Sequence, residues 1–269
     1  MRKLLDSIFK LSSKLSRGKF DNYFVHRYAD QLSFEISESL GHRVIFGPFK
    51  GMKLNPDSYL SKYILANFAL GSYENKVQKE LENFSKKYQY DVFIDIGGAD
   101  GLFAIGVLVN SMFKKTIVFE LEERGQKAIL ENAKLNSVSD KIEINGIADF
   151  NSLSKVISNN PNSVLLMDIE GAEFDIFDKD LLLKMTKMPF IIEIHCFKQE
   201  DQKKYTKLKD LIKLTHDFKV LNNDKKELSS HVHLKHFTDM QKALVLTERR
   251  TIRAEWLVCE PKKLLNDIN

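Results

Sequence analysis

The sequence is short of several things, and each shortage excludes something. It has two cysteines, Cys196 and Cys259, far apart and at no zinc-ligand spacing. They read as a buried reduced pair, the usage of a cytoplasmic protein. Five prolines and twelve glycines in 269 residues leave little room for disorder. There is no Pro/Gly-rich linker, internal repeat or low-complexity tract. Charge of one sign is nearly missing too: 41 basic against 37 acidic residues give a net +4. That is no footprint of an obligate nucleic-acid binder, and a nucleic-acid partner is not expected. The longest apolar runs fall far short of a membrane span. The opening "MRKLLDSIFKLSSKLSRGK" has a charged start but neither an uninterrupted apolar core nor a small-residue cleavage site, so no signal peptide is expected.

What is present is a globular composition, 43% hydrophobic and 29% charged. The length suits one large domain, or a domain with an appendage. In the opening segment Leu4, Leu5, Ile8, Leu11 and Leu15 recur at helical spacing, with Lys10, Lys14, Arg17 and Lys19 mostly elsewhere. This amphipathic helix reads in two ways: peripheral membrane contact through residues 1–19, or packing on its own domain or on a second copy of the chain as a homo-oligomer.

The pattern changes near residue 90, dividing the chain into an N-terminal helical and hairpin extension (1–90) and a larger domain (91–269). Residues 1–42 read as helical, and "HRVIFGPFKGMKL" (42–54) as two short strands about a turn. Two helices follow, the second with Ser72 as its N-cap. From residue 91, apolar strands alternate with helices: strands at 91–97, 114–121, 141–148, "SVLLMDIEG" from 163, 189–195, 218–223 and 254–261. Helices begin at Leu102 and cover 123–136, about 151–158, a stretch through about 187, and 203–217. Continuous apolar strands between helices imply a mostly parallel seven-stranded α/β sheet covered on both faces. The irregular segment before the last strand points to an antiparallel final strand.

Ligands of open α/β sheets bind beyond the carboxyl ends of the strands. The first strand ends in "FIDIGGADG", where Gly97, Gly98 and Gly101 permit a tight turn and a close ligand approach. The dinucleotide spacing G-x-G-x-x-G fails, because Ala99 and Leu102 stand at its third and sixth positions. Instead, Asp95 precedes the loop and Glu120 ends the second strand. An acid in the loop strand opposes a pyrophosphate and suits a cation. An acid at the next strand end suits a ribose diol. A ligand with a ribose, no phosphates and a cationic amino-acid tail is S-adenosylmethionine.

The D-x-G-x-x-x-G pattern resembles motif I of class I S-adenosylmethionine-dependent methyltransferases, and Glu120 resembles their ribose-binding acid. "LLMDIEGAEFDIF" further resembles the D-[IV]-E-G-x-E signature of FkbM-type methyltransferases, as do "GPFKGMKL", "LGSYENKVQKEL", "FIIEIHCF" and "WLVCEP" in their places. The resemblance covers roughly residues 43–262. It implies a Rossmann-like methyltransferase fold and an O-methyltransferase acting on hydroxyls of sugars, surface glycans or natural products. It also implies that Asp95, Gly97, Gly98 and Gly101 cradle the methionine part, Glu120 the ribose, and Ala148 and Asp149 the adenine, with Tyr73 and Glu74 closing the pocket.

At the reacting end, Asp168 and Glu170 leave the fourth strand, and Glu193 and His195 the fifth. Residues two apart on a strand share a face, so the four can converge. His195 is the expected general base, with an ordinary pKa near 6.5. Glu193 would orient it, and Asp168 would sit by the methyl group or the hydroxyl. The same Asp168, Glu170, Glu193 and His195 form an O/N donor set suited to Mg²⁺ or Mn²⁺, and His195 also reads as an ordinary satisfied strand-end histidine. Glu173 and Asp175 fall in the first turns of the following helix, where its dipole favours acids. The amino-methylating D/N-P-P-Y block is missing from "DIEG". His231, His233 and His236 read as an acceptor-side flap or a solvated loop. From another class, the rival reading is a non-catalytic scaffold for a glycan-assembly complex.

Overall fold

The computed structural model describes residues 19–57, 62–222, 232–246 and 255–262. The amphipathic opening segment and His231 lie outside the described residues, so the expectations placed on them stand as they were. Among the described residues, no helix is long and apolar enough to cross a membrane.

The elements run in chain order α1 (Lys19–Ser39), α2 (Leu65–Ala69), α3 (Asn75–Tyr88), β1 (Val92–Ile96), α4 (Leu102–Val109), β2 (Lys115–Phe119), α5 (Glu123–Leu135), β3 (Ile142–Asn145), α6 (Phe150–Asn159), β4 (Ser163–Met167), α7 (Glu173–Ile176), α8 (Lys179–Lys184), β5 (Phe190–Ile194), α9 (Asp201–Ile212), β6 (His216–Asn222), α10 (Asp239–Leu246) and β7 (Glu255–Pro261). The strands form one seven-stranded sheet in the order β3-β2-β1-β4-β5-β7-β6. All pairings from β3 to β5 are parallel, while β7 runs antiparallel to both β5 and β6. This is the Rossmann-like fold expected from the alternation, with its antiparallel last strand. β1 and β4 are central and buried nearly throughout, which is why they read as unbroken apolar runs.

Each face of the sheet carries its own core. On one face Phe93, Val164, Leu166, Ile191 and Val258 pack with Val77, Leu81 and Phe84 of α3 and Leu102 and Ile105 of α4. On the other, Ile94, Leu165, Met167, Ile192 and Leu257 pack with α6, α8 and α9. Val44, Phe49, Met52, Leu54 and Phe68 belong to the first core, so the segment before residue 90 is built into the same interior as the sheet. The Phe49 ring lies so close to Gly106 of α4 that a Cβ there would fall 2.4 Å from it. A smaller cluster joins Leu32 and Ile36 of α1 to Ala66, Leu70, Leu234 and Val245.

Several local expectations change. The 42–54 hairpin reduces to a single antiparallel bridge, Arg43 with Lys53, flanked by Val44 N–H to Met52 O and Leu54 N–H to His42 O. Ser72 does not cap α3. Its hydroxyl bonds to the Asn67 side chain, and Glu74 occupies the cap position in the left-handed region without a side-chain cap bond. The helix after β4 is broken into α7 and α8. Phe177 leaves the helical region at φ −81°, ψ 100°, and the Asp178 carboxylate then caps α8 on Leu181 N–H. The helix expected over 203–217 stops at Ile212, and buried His216 instead begins β6, its Nε2 2.9 Å from Met188 O.

Candidate active site

The parallel register sets the site. Asp95 pairs across β1 with Val118 on one side and Leu166 on the other, and Leu166 pairs with Ile191. Side chains alternate along a strand, so Glu120, Asp95, Asp168 and Glu193, each on the same parity, face the same side at the carboxyl ends of β2, β1, β4 and β5. Four acids in a row on one sheet face is what the strand endings foreshadow, and what core packing alone would not produce.

Between β1 and α4 the chain turns through Gly97, at φ 91°, and Gly101, at φ 88°. A Cβ on Gly97 would fall 1.8 Å from the Asp168 carbonyl oxygen, so only glycine lets the β1 loop pass under the end of β4. A Cβ on Gly98 would fall 2.3 Å from Val118 Cγ1. The loop is anchored by Glu120, whose Oε2 accepts from Ala99 N–H at 2.7 Å and whose Oε1 accepts from Glu122 N–H at 2.8 Å. Carboxylate oxygens retain acceptor capacity beyond one bond each, so Glu120 can serve the loop and a ligand diol together.

A cleft of about 750 Å³ opens over these strand ends. Tyr73, Gly97, Glu120, Ala148, Asp168 and Glu170 line it, along with the exposed apolar side chains of Leu121 and Ile147. Of the residues singled out from sequence, Asp95 is 2% exposed and lies beneath the lining rather than in it. Gly98, Gly101 and Glu74 likewise do not reach the lining. Asp149 is spent on the fold: its carboxylate accepts from Ser152 N–H at 2.8 Å and forms a capping box at the start of α6. Leu121, Glu122, Gly146 and Ile147 are lining residues that sequence reasoning misses. Their one signal is position, immediately after strands that end at a ligand edge.

Behind Asp168 stands a second arrangement. The His195 ring is 3% exposed and its Nε2 faces three carboxylates: Glu170 Oε2 at 3.5 Å, Glu193 Oε2 at 3.6 Å and Asp168 Oδ1 at 3.8 Å. Its Nδ1 faces Glu173 Oε1 at 3.6 Å, and the ring stacks on Phe197. Glu173 is fully buried and does more than complement a helix dipole. Oε1 accepts from His195 N–H at 2.6 Å and Oε2 from Gly171 N–H at 2.8 Å. It thus ties the DIEG turn, with Glu170 and Gly171 both at positive φ, to the end of β5. His233 and His236 are exposed and stand on the 3₁₀ turn and loop before α10.

Electrostatics follow from this crowding. Burial pushes Asp95 up to about 7, with the charge of Asp168 next and that of Glu120 adding, against a lowering backbone hydrogen bond at Ala104. Burial pushes Asp168 up to about 6; the Glu193 hydrogen bond and the His195 charge oppose it, and the charges of Glu170 and Glu173 add to it. For His195, burial alone would lower the pKa, but Glu173, Asp168 and Glu170 together outweigh it and hold the ring protonated to higher pH than a free imidazole. The site is therefore a crowd of carboxyls beneath a partly apolar cleft, two of them held partly protonated near neutral pH, whose ionised forms a cation nearby would favour.

No protein-family profile matches the chain, and no curated protein matches its sequence. Among solved structures, it is similar to the O-methyltransferase from Bacillus cereus in complex with SAH, at 12% identity over 74% of this chain and 87% of that one, with a TM-score of 0.49. It is similar to an RNA methyltransferase from Salinibacter ruber in complex with S-adenosyl-L-homocysteine, at 13% identity over 72% and 96% of the two chains, TM-score 0.40. It is also similar to the M1A22 tRNA methyltransferase from B. subtilis, at 10% identity over 69% and 66%, TM-score 0.44. Likeness at that level does not identify a reaction or an acceptor.

Proposed function

We propose that the chain is an S-adenosylmethionine-dependent O-methyltransferase of the FkbM type, acting on a hydroxyl of a sugar, surface glycan or natural product. The observation that carries this reading is the row of acids along one sheet face, with Glu120 and Asp168 in the lining of a cleft and Asp95 beneath it, the rim being apolar at Leu121 and Ile147. A phosphate-bearing dinucleotide would be repelled by that row. A sulfonium with a protonated amino group, a ribose diol and an adenine fits each part of it.

When bound, the donor supplies an electrophilic methyl group whose sulfur departs as a neutral thioether once an acceptor oxygen takes the methyl. The chain's own task is then alignment and proton removal. Glu120 holds the diol, the Gly97 turn brings the backbone close, and Leu121 and Ile147 flank the flat ring. The Asp168, Glu193 and His195 cluster receives the acceptor hydroxyl and takes up its proton, with Glu173 holding His195 through its backbone N–H and facing Nδ1. The "DIEG" turn offers neither the proline nor the aromatic face that holds a planar amino group, which favours oxygen over nitrogen as the methylated atom.

The test is methyl transfer from labelled S-adenosylmethionine to a panel of monosaccharides, glycan intermediates and unmodified tRNA. Label in the sugar or glycan fraction, stable to mild base as an ether is, is the expected result. Label confined to tRNA would overturn the acceptor class while leaving methyl transfer standing. A chain that binds the donor product and labels nothing would favour the scaffold reading.

A further inference from the structure

The cluster at the ends of β4 and β5 contains more negative charge than a single imidazole explains. Among the described residues, the ion pairs of Asp168, Glu170 and Glu173 run to the His195 ring alone. One donor atom each from Asp168, Glu193 and His195 lies within 4.8 Å of the others. The separations from His195 Nε2, 3.5 to 3.8 Å, exceed those of N–H···O hydrogen bonds. They are the separations of atoms that share an ion: ligands about 2.1 Å from one metal stand roughly 3 to 4.3 Å apart, depending on the angle between them. Asp168 Oδ1, the oxygen that faces His195 Nε2, is buried without a hydrogen-bond partner.

A second, independent feature is the far side of the ring. A histidine that binds a metal through one nitrogen nearly always offers its other N–H to a carboxylate, which fixes the tautomer and the ring plane. Here Nε2 faces the carboxylate group, while Nδ1 is buried without a hydrogen-bond partner and has Glu173 Oε1, 3.6 Å away, as the carboxylate facing it. Glu173 is itself fully buried and pinned by two backbone N–H groups, so it cannot swing away. Glu193 is buried beneath, His195 is held by Phe197, and Asp168 opens on the cleft. The arrangement has two buried ligands and one at the mouth.

We propose that Asp168, Glu193 and His195 hold a divalent metal ion of the Mg²⁺ or Mn²⁺ class, with Glu173 as the positioning carboxylate behind His195. Two carboxylates and one imidazole are hard and borderline donors, and exposed Glu170 at the mouth adds a further oxygen. The role of the ion, lowering the pKa of an acceptor hydroxyl that coordinates it, rests on the methyltransferase reading, and with His195 Nε2 on the ion the hydroxyl proton would pass to exposed Glu170 or to solvent rather than to the imidazole; the binding of the ion does not rest on that reading.

Mn²⁺ is the probe. The full chain, stripped with chelator and dialysed, is titrated with Mn²⁺ and the free ion is read by electron paramagnetic resonance. One ion per chain is expected in the wild type. His195→Ala and Glu193→Gln should each weaken it tenfold or more, and Glu173→Gln by about 10- to 100-fold, as outer-shell partners of metal-bound histidines do. The exposed helix acid variant Asp210→Asn should bind as the wild type does. Wild-type chain that binds no Mn²⁺ at about 1 mM, where affinity falls to about 4 kcal/mol, overturns the site, as does binding unchanged in both ligand variants. Calorimetry with S-adenosylhomocysteine on the same samples separates the two proposals. S-adenosylhomocysteine binding without Mn²⁺ binding removes the metal and keeps the function; Mn²⁺ binding without it removes the function and keeps the metal.

Discussion

Replacing Asp95 by asparagine should make the free chain more stable, and increasingly so with rising pH. Asp95 is buried under the cleft, and burial together with Asp168 and Glu120 moves its carboxyl from the usual 3.8 to about 7. A carboxyl whose folded pKa is raised binds a proton in the native state that the unfolded chain has already released. Its contribution is whole below about pH 4 and is lost as pH rises through about 7. Each pH unit of that interval costs about 1.4 kcal/mol, so the ionised side chain costs the native state several kcal/mol at pH 8 and much less at pH 5. The asparagine amide keeps the shape and never ionises. Urea unfolding of Asp95→Asn and wild type, in chelator and without donor, should therefore show a stability gain that grows by roughly 2 to 3 kcal/mol between pH 5 and pH 8. A variant less stable than wild type by the same amount at both pH values would refute the reasoning. It would mean that native contacts favour the carboxylate and that no cationic ligand is needed to balance it.

Three further outcomes follow from the site. Gly97→Ala places a methyl group against the Asp168 carbonyl at a backbone angle that L-residues avoid; a loss of more than about 2 kcal/mol in denaturant unfolding is expected, and wild-type stability would contradict the close approach. Glu120→Ala removes charge-assisted hydrogen bonds of about 1.5 to 3 kcal/mol, so affinity for S-adenosylhomocysteine should fall about 10- to 100-fold by calorimetry. Unchanged affinity would remove Glu120 from the ribose site. His195→Ala should lower methyl transfer by about 10²- to 10⁴-fold with nearly unchanged affinity for S-adenosylhomocysteine, and an affinity loss matching the rate loss would refute a role confined to the acceptor side.

The sheet was legible because its strands are buried on both faces. Runs such as "FIIEI" and "SVLLM" are buried at every position and have no other stable placement. The acids at their ends were legible for the complementary reason: Asp168 and Glu193 interrupt or continue such runs where an unpaired charge is costly. Features that depend on partners distant in sequence were not. Glu173 is set apart from Asp175 only by its place in the D-[IV]-E-G-x-E signature, and its task shows once β5 brings the His195 N–H to it from 22 residues away. Asp149 has the opposite fault. Its Asp-x-x-Ser pattern is a local capping signal, and the cap takes the carboxylate that the family resemblance assigns to the adenine. The 42–54 segment alternates like a hairpin, yet Phe49, Met52 and Leu54 are drawn into the sheet core, and a single bridge remains. The break between α7 and α8 follows from the same competition, with the Asp178 cap starting a new helix where periodicity continues the old one.

The central claim is that the acid-lined cleft is an S-adenosylmethionine site. Calorimetric titration of the wild-type chain with S-adenosylhomocysteine tests it most directly. One site per chain with a Kd in the micromolar range, about −8 kcal/mol, is the predicted result, with competition by S-adenosylmethionine and none by NAD. No heat at about 1 mM ligand, from protein that circular dichroism shows to be folded, would contradict it.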